Sequence, residues 1–174
     1  MPVSLRDARY SIEARRWMEG VFPEYLDSLM EVSTNTGIFP VRGEFGDREP
    51  DLLARWFIDD SSVPLVFMKG ATPVGFAVVG KPSPMQRGQL DYRMAEFFII
   101  ASQRRRGIGS EVVQLIFKRF AGRWEIIENA SNKEAITFWR EVVRACSFGQ
   151  YRERIENSEV KQYFDSTPMR PTVR

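Results

Sequence analysis

Apolar and polar positions recur with two different periods along this chain, and each change of period marks the edge of an element. Residues 3–6 read as a short strand, and residues 9–19, with Ile12, Arg16 and Glu19 at helical spacing, as a first helix. Residues 23–32 read as a second helix whose apolar face is Tyr25, Leu26, Leu29 and Met30. Residues 34–49 contain three glycines and one proline and read as a loop, the kind of segment in which a compact domain places substrate contacts. Residues 51–58 form another short helical stretch with Leu52, Leu53, Trp56 and Phe57 inward.

The middle of the chain switches to period two. Residues 64–69 and 73–79 are strand-like runs separated by Gly70-Ala71-Thr72, which predicts an antiparallel hairpin. Residues 91–101 end in Phe97-Phe98-Ile99-Ile100-Ala101, a continuous apolar run that suits a central strand covered on both faces. Helical spacing returns over residues 109–121, with Val112, Val113, Ile116 and Phe120 on one side and Glu111, Gln114 and Lys118 on the other. Residues 124–129 read as a strand. Ser131-Asn132-Lys133-Glu134 then reads as a capping box, Ser131 at the N-cap and Glu134 at N3, opening a helix that buries Ala135, Ile136, Trp139, Val142 and Val143. Residues 148–156 and 160–164 close the chain as a hairpin around Asn157-Ser158. The resulting order, β-α-α-β-β-β-α-β-α-β-β, is an α/β arrangement with a mixed sheet. With no repeat, low-complexity tract or strong linker, residues 1–174 read as one domain.

Composition changes this picture mainly by exclusion. The chain has no histidine, which removes histidine-based triads, histidine-ligated metals and imidazole as an acid or base. Its one cysteine, Cys146, makes no internal disulfide and no thiolate cluster, so no metal is expected and a reducing compartment is. A net charge of +2 gives no global field that attracts nucleic acid. No apolar run approaches the roughly 18 residues of a membrane helix, and residues 1–10 lack the core of a signal peptide, so a cytoplasmic protein with no membrane partner is expected.

Chemistry concentrates in Arg104-Arg105-Arg106-Gly107-Ile108-Gly109-Ser110, between the most apolar strand and an amphipathic helix. A helix N-terminus leaves amide N–H groups unpaired and carries partial positive charge, so a phosphate placed there is held by the backbone itself. Gly107 and Gly109 permit unusual dihedrals and let an anion approach without meeting a Cβ. A phosphate-loop NTPase is excluded, since no Lys-Ser/Thr pair follows the glycines. A dinucleotide site stays open: Glu128, 21 residues after Gly107, stands near the position of a ribose-binding acid, although Val112 occupies the place of a third small residue. A plain glycine turn beside solvated arginines also stays open. An RNA patch at the arginines lacks stacking aromatics at its surface.

A second motif follows in order. Arg104-x-x-Gly107-x-Gly109 after a strand resembles the Arg/Gln-x-x-Gly-x-Gly/Ala signature of the GNAT superfamily of acyl-coenzyme A N-acyltransferases, and Asn132-Lys133-Glu134-Ala135-Ile136-Thr137-Phe138-Trp139 resembles its Asn-x-x-Ala-x-x-Phe-Tyr helix. Glu96-Phe97-Phe98 and the following glycine loop are also similar to spermidine/spermine N-acetyltransferases. The resemblance implies a GNAT-type sheet, mixed but largely antiparallel, with helices on both faces, and acetyl-coenzyme A as co-substrate. It implies that the backbone of Arg105, Arg106, Gly107, Ile108, Gly109 and Ser110, with Arg104 beside it, cradles the pyrophosphate. Ile99 and Ile100 would offer main-chain groups to the pantetheine and thioester, and Asn132 would touch the pantetheine or cap its helix. The acceptor is then an amine, on a small molecule or a protein. Amine attack on a thioester needs a proton acceptor, and an acid in an apolar strand has a raised pKa, so Glu96 is the candidate general base. Trp139 stands where the family often has a tyrosine acid, and an indole N–H does not deliver a proton. That departure keeps a catalytically silent acyl-coenzyme A binder open as the alternative.

Overall fold

Among the described residues, seven strands make one sheet: β1 (Val3–Asp7), β2 (Ser62–Lys69), β3 (Thr72–Gly80), β4 (Tyr92–Ile99), β5 (Arg123–Asn129), β6 (Tyr151–Glu156) and β7 (Glu159–Asp165). They lie in the order β1-β2-β3-β4-β5-β7-β6. Every neighbouring pair is antiparallel except β4 and β5. The computed structural model describes residues 1–36, 50–82 and 84–167. Its helices are α1 (Ile12–Thr36), α2 (Pro50–Arg55), α3 (Ile108–Arg119) and α4 (Lys133–Cys146). Their order, β-α-α-β-β-β-α-β-α-β-β, is the predicted one, with two helices in place of the three predicted helical stretches before β2. Among the described residues, no helix is long and apolar enough to cross a membrane.

Helices cover both faces of the sheet. Against α3 and α4 lies one core, with Val112, Ile116, Phe117, Trp124, Ile126 and Val143 at its centre. Against α1 and α2 lies a second, built on Met18, Tyr25, Leu26, Trp56, Phe76 and Val78.

Three local predictions are corrected. The two helices expected over residues 9–19 and 23–32 are one helix, α1, with Pro23 inside it. A proline within a helix costs about 3 kcal/mol, whereas each fully buried large apolar side chain contributes about 1.5–3 kcal/mol. Met18, Val21 and Phe22 before the proline and Tyr25 and Leu26 after it are all buried on one core, so packing outweighs the lost hydrogen bond. Helix α1 also takes in the start of the predicted loop, residues 34–36, and the rest of that loop lies outside the described residues. The N-cap of α4 is Asn132, whose side chain accepts from the Ala135 amide at 3.2 Å, and not Ser131. Ser131 is held in the preceding turn by the Asn129 side chain, and Glu134 reaches out to Arg105 at 3.5 Å. In the closing hairpin β6 starts at Tyr151, because Phe148 and Gly149 adopt left-handed backbone (φ 54° and 77°) where the chain leaves α4.

Two irregularities position the site. Strands β4 and β5 are paired only at Tyr92 with Trp124 and Arg93 with Glu125, and beyond that point β5 continues against β7 alone. The pair therefore opens into a wedge toward its C-terminal end. In β4, Val79 pairs with Met94 but Val78 pairs with Glu96, so Ala95 is an extra residue, a β-bulge. Met94 packs on the α3/α4 side, and regular alternation would put Glu96 there too. The bulge instead turns Glu96 to the face of Val78 and Phe98, under α1.

Candidate active site

The wedge holds a cleft of about 510 Å³, walled by β4, the loop before α3, and facing residues of α1 and α4. The apolar run of β4 is thus central but not sealed on both sides: Phe97 and Ile99 line the cleft. A 3₁₀ turn at Ala101–Gln103 carries the chain from β4 to the loop. Gly107, the N-cap of α3, has φ 76° and ψ −4°, and Arg105 is also left-handed at φ 58°. A Cβ on Gly107 would meet nothing within 4 Å, so this position requires glycine for its dihedral alone. Gly109 is there for space. A Cβ on it would lie 2.9 Å from the Phe138 ring, so its absence lets α3 close against α4.

The first hydrogen bond of α3 runs from the Glu111 amide to the Gly107 carbonyl at 3.2 Å. The amides of residues 105–110 make no hydrogen bond to any described carbonyl or side chain. Six consecutive donors at a helix N-terminus, beside a cleft and with no Cβ at 107 or 109, fit a diphosphate. Along β4, the Ile100 amide is bonded to Val74 at 3.1 Å, which removes it from the predicted pantetheine contacts. Antiparallel alternation turns the main-chain groups of Ile99 and Phe97 the other way, toward the edge that β5 leaves open. The Ile99 carbonyl already accepts from Arg104 Nε, so the Ile99 amide and both Phe97 groups are the ones a ligand can pair with.

The predicted residues divide accordingly. Gly107, Gly109, Ser110, Arg105, Ile99 and Asn132 border the cleft. Arg104 also borders it but turns back, donating Nε to the Ile99 carbonyl at 2.8 Å and Nη2 to the Ser28 hydroxyl at 3.3 Å. Arg106 is exposed and stands outside the lining. Ile108 contributes only its amide, because its side chain is in the core. Trp139 is 5% exposed and stands against Phe97 and Phe138, with ring centroids 5.1 Å apart in both pairs. Cys146 is buried, and burial raises its thiol pKa, the wrong direction for a nucleophile.

Glu96 does not line the cleft wall; it sits on the α1 face, where the Tyr25 hydroxyl donates to its Oε2. Burial pushes its carboxyl from an ordinary 4.5 up to about 8. Sequence reading placed Tyr25 only in an apolar helix face. Its one distinguishing signal was a hydroxyl in an otherwise hydrocarbon stripe, which demands a partner when buried.

The dinucleotide alternative is overturned. Such a site belongs to an open parallel sheet, and here β4 and β5 are the sole parallel pair among the described strands. Glu128 is buried under α4 with both carboxylate oxygens unpartnered among the described residues, and it lies outside the cleft lining.

Comparison with known proteins agrees with this geometry. A family model described as the acetyltransferase (GNAT) family matches residues 23–142. The chain belongs to that family, and its class is N-acetyltransferase. No curated protein matches it. An acetyltransferase from Thermus thermophilus superposes with a TM-score of 0.64 at 13% identity, covering 95% of this chain and 97% of that one. A chimera of the spermidine N-acetyltransferase SpeG from Vibrio cholerae and hSSAT gives 0.60 at 9% identity, with 97% and 99% covered. A Bacillus subtilis acetyltransferase solved in complex with CoA gives 0.51 at 15% identity, with 68% and 85% covered. At these identities the likeness is one of fold.

Proposed function

We propose that the chain transfers the acetyl group of acetyl-coenzyme A directly to a primary amine within one ternary complex. The observation that carries this reading is the row of six amides at residues 105–110 with no partner among the described residues, opening on a cleft whose other wall is the edge of β4 that β5 leaves open. Those amides would hold the diphosphate. The main-chain groups of Phe97 and the Ile99 amide would align the pantetheine arm and offer a donor to the thioester oxygen, since preorganised backbone donors stabilise charge developing there. When bound, acetyl-coenzyme A supplies the activated carbonyl that the amine attacks. Glu96, whose carboxyl burial raises to about 8, would take the proton that the amine must lose, directly or through water. No side-chain acid is needed on the other side, because a thiol of pKa about 8.5 leaves as thiolate.

The neighbour that acts on spermidine supports a small-molecule amine as acceptor. The buried, unpaired Cys146 supports a reducing, cytoplasmic setting. A thiol-release assay with acetyl-coenzyme A over a panel of polyamines, aminoglycosides, amino acids and peptides tests the reading. Acetyl-coenzyme A consumption that depends on one class of amine is the expected result. Tight coenzyme A binding with no turnover on any amine would instead establish a silent binder, the alternative raised by Trp139 at the usual tyrosine position.

A further inference from the structure

We infer that Tyr25 is a positioning residue for proton transfer: by donating its hydroxyl to Oε2 of Glu96, it fixes the carboxylate so that Oε1 is the atom left to receive the amine's proton. This rests on the acetyltransfer reading and adds a residue from α1, 71 positions away in sequence.

The geometry is asymmetric between the two carboxylate oxygens. Oε2 is taken by Tyr25. Oε1 makes no hydrogen bond among the described residues, and Glu96 as a whole keeps partial exposure. Tyr25 itself is only 2% exposed and is locked by its neighbours. Its ring stands edge-on to Phe76 at 5.1 Å, Phe98 at 5.6 Å and Trp56 at 6.2 Å, and it borders the cleft. A phenol with so little rotational freedom is a fixed donor, and a carboxylate bonded to it has one rotamer to adopt.

Among the described residues, Tyr25 is the side chain that hydrogen-bonds Glu96. Val78 faces it across the ladder and Phe98 shares its face, both apolar. Of the described acidic and basic side chains bordering that end of β4, Glu24 accepts from the Ala101 amide, and Arg104 is committed to Ile99 and Ser28. In the transfer, an N–H bond of the substrate ammonium breaks and an O–H bond forms at Oε1. The electron pair stays on nitrogen, which becomes the neutral nucleophile, and Tyr25 keeps its own proton throughout.

Tyr25→Phe keeps the ring packing and removes only the donor. A carboxylate that loses such a bond is harder to ionise, so the Glu96 midpoint followed by carbon-13 NMR of its carboxyl should rise by about one to two pH units. The pH–rate profile should shift up with it, and kcat should fall about tenfold or more with the KM for acetyl-coenzyme A unchanged. Placing 3-fluorotyrosine at position 25 strengthens the donor and should move the midpoint down, which keeps the test open even where Tyr25→Phe folds poorly. An unmoved midpoint in either variant overturns the inference, as does a kcat loss in Tyr25→Phe that recurs in full on a Glu96→Gln background. Absence of turnover in the unmodified protein with every amine would instead defeat acetyltransfer itself, together with the catalytic role drawn here. An active enzyme with an unmoved Glu96 midpoint defeats the role of Tyr25 alone.

Discussion

Replacing Gly107 by alanine separates backbone strain from ligand recognition, because the fold contains its own control. Gly107 (φ 76°) and Gly149 (φ 77°) have the same left-handed conformation, and a Cβ at either would meet nothing within 4 Å. Alanine in that conformation costs about 1–2 kcal/mol, so both variants should lose that much stability. For a chain of this length the loss corresponds to a fall in Tm of roughly 2–8 °C. The two differ in what the strain moves. At 149 it relaxes into the exposed turn after α4, whereas at 107 it rotates the peptide groups whose amides open on the cleft. Loss of one hydrogen bond to a charged group is worth about 1.5–3 kcal/mol, which is roughly ten- to hundredfold in Kd. Calorimetry with coenzyme A should therefore show binding weakened by that factor in Gly107→Ala and unchanged in Gly149→Ala. Equal affinity in the two variants would refute the assignment of these amides to the diphosphate.

Other consequences can be checked independently. Glu96 keeps its proton until about pH 8, so the wild-type rate should rise through that pH as the carboxylate forms. Glu96→Gln should remove that limb and lower the rate at least tenfold, measured as kcat/KM across pH 6–10. Glu128 is raised to about 8 by burial and then by Glu153, and so the folded protein holds a proton there that the unfolded chain releases near 4.5. Stability from this group is complete below pH 4.5 and is lost as pH rises toward 8, at up to ~1.4 kcal/mol per unit. Urea melts of Glu128→Gln should be flatter over that window by this amount, and an unaltered slope would show that Glu128 is ionised throughout. Asn132→Ala should cost about 1 kcal/mol in the same melts, while Asn132→Asp, which keeps the cap acceptor, should cost far less.

The parts of the fold legible in sequence were those governed by local periodicity. The hairpin at Gly70, the stripe Val112, Val113 and Ile116, and the glycine loop after an apolar strand each follow from spacing within a dozen residues. The misread parts depend on partners distant in the chain or on competition between neighbours. Pro23 reads as a helix boundary until the core on both sides of it is known. Ser131 and Asn132 are equally good caps by type, and only the turn that engages Ser131 with Asn129 decides between them. The face of Glu96 was undetermined because one extra residue, Ala95, reverses it, and no sequence pattern marks that bulge. Its link to Tyr25 crosses from β4 to α1, and its consequence is chemical rather than structural.

The most direct measurement is an amide-resolved nitrogen-15 NMR titration with coenzyme A. Six neighbouring N–H groups with no partner among the described residues should acquire one, so the signals of residues 105–110 should move downfield together and saturate with a single binding constant. Saturable binding that leaves those six signals in place, or no binding at all, would contradict the assignment of the α3 N-terminus as the coenzyme A cradle.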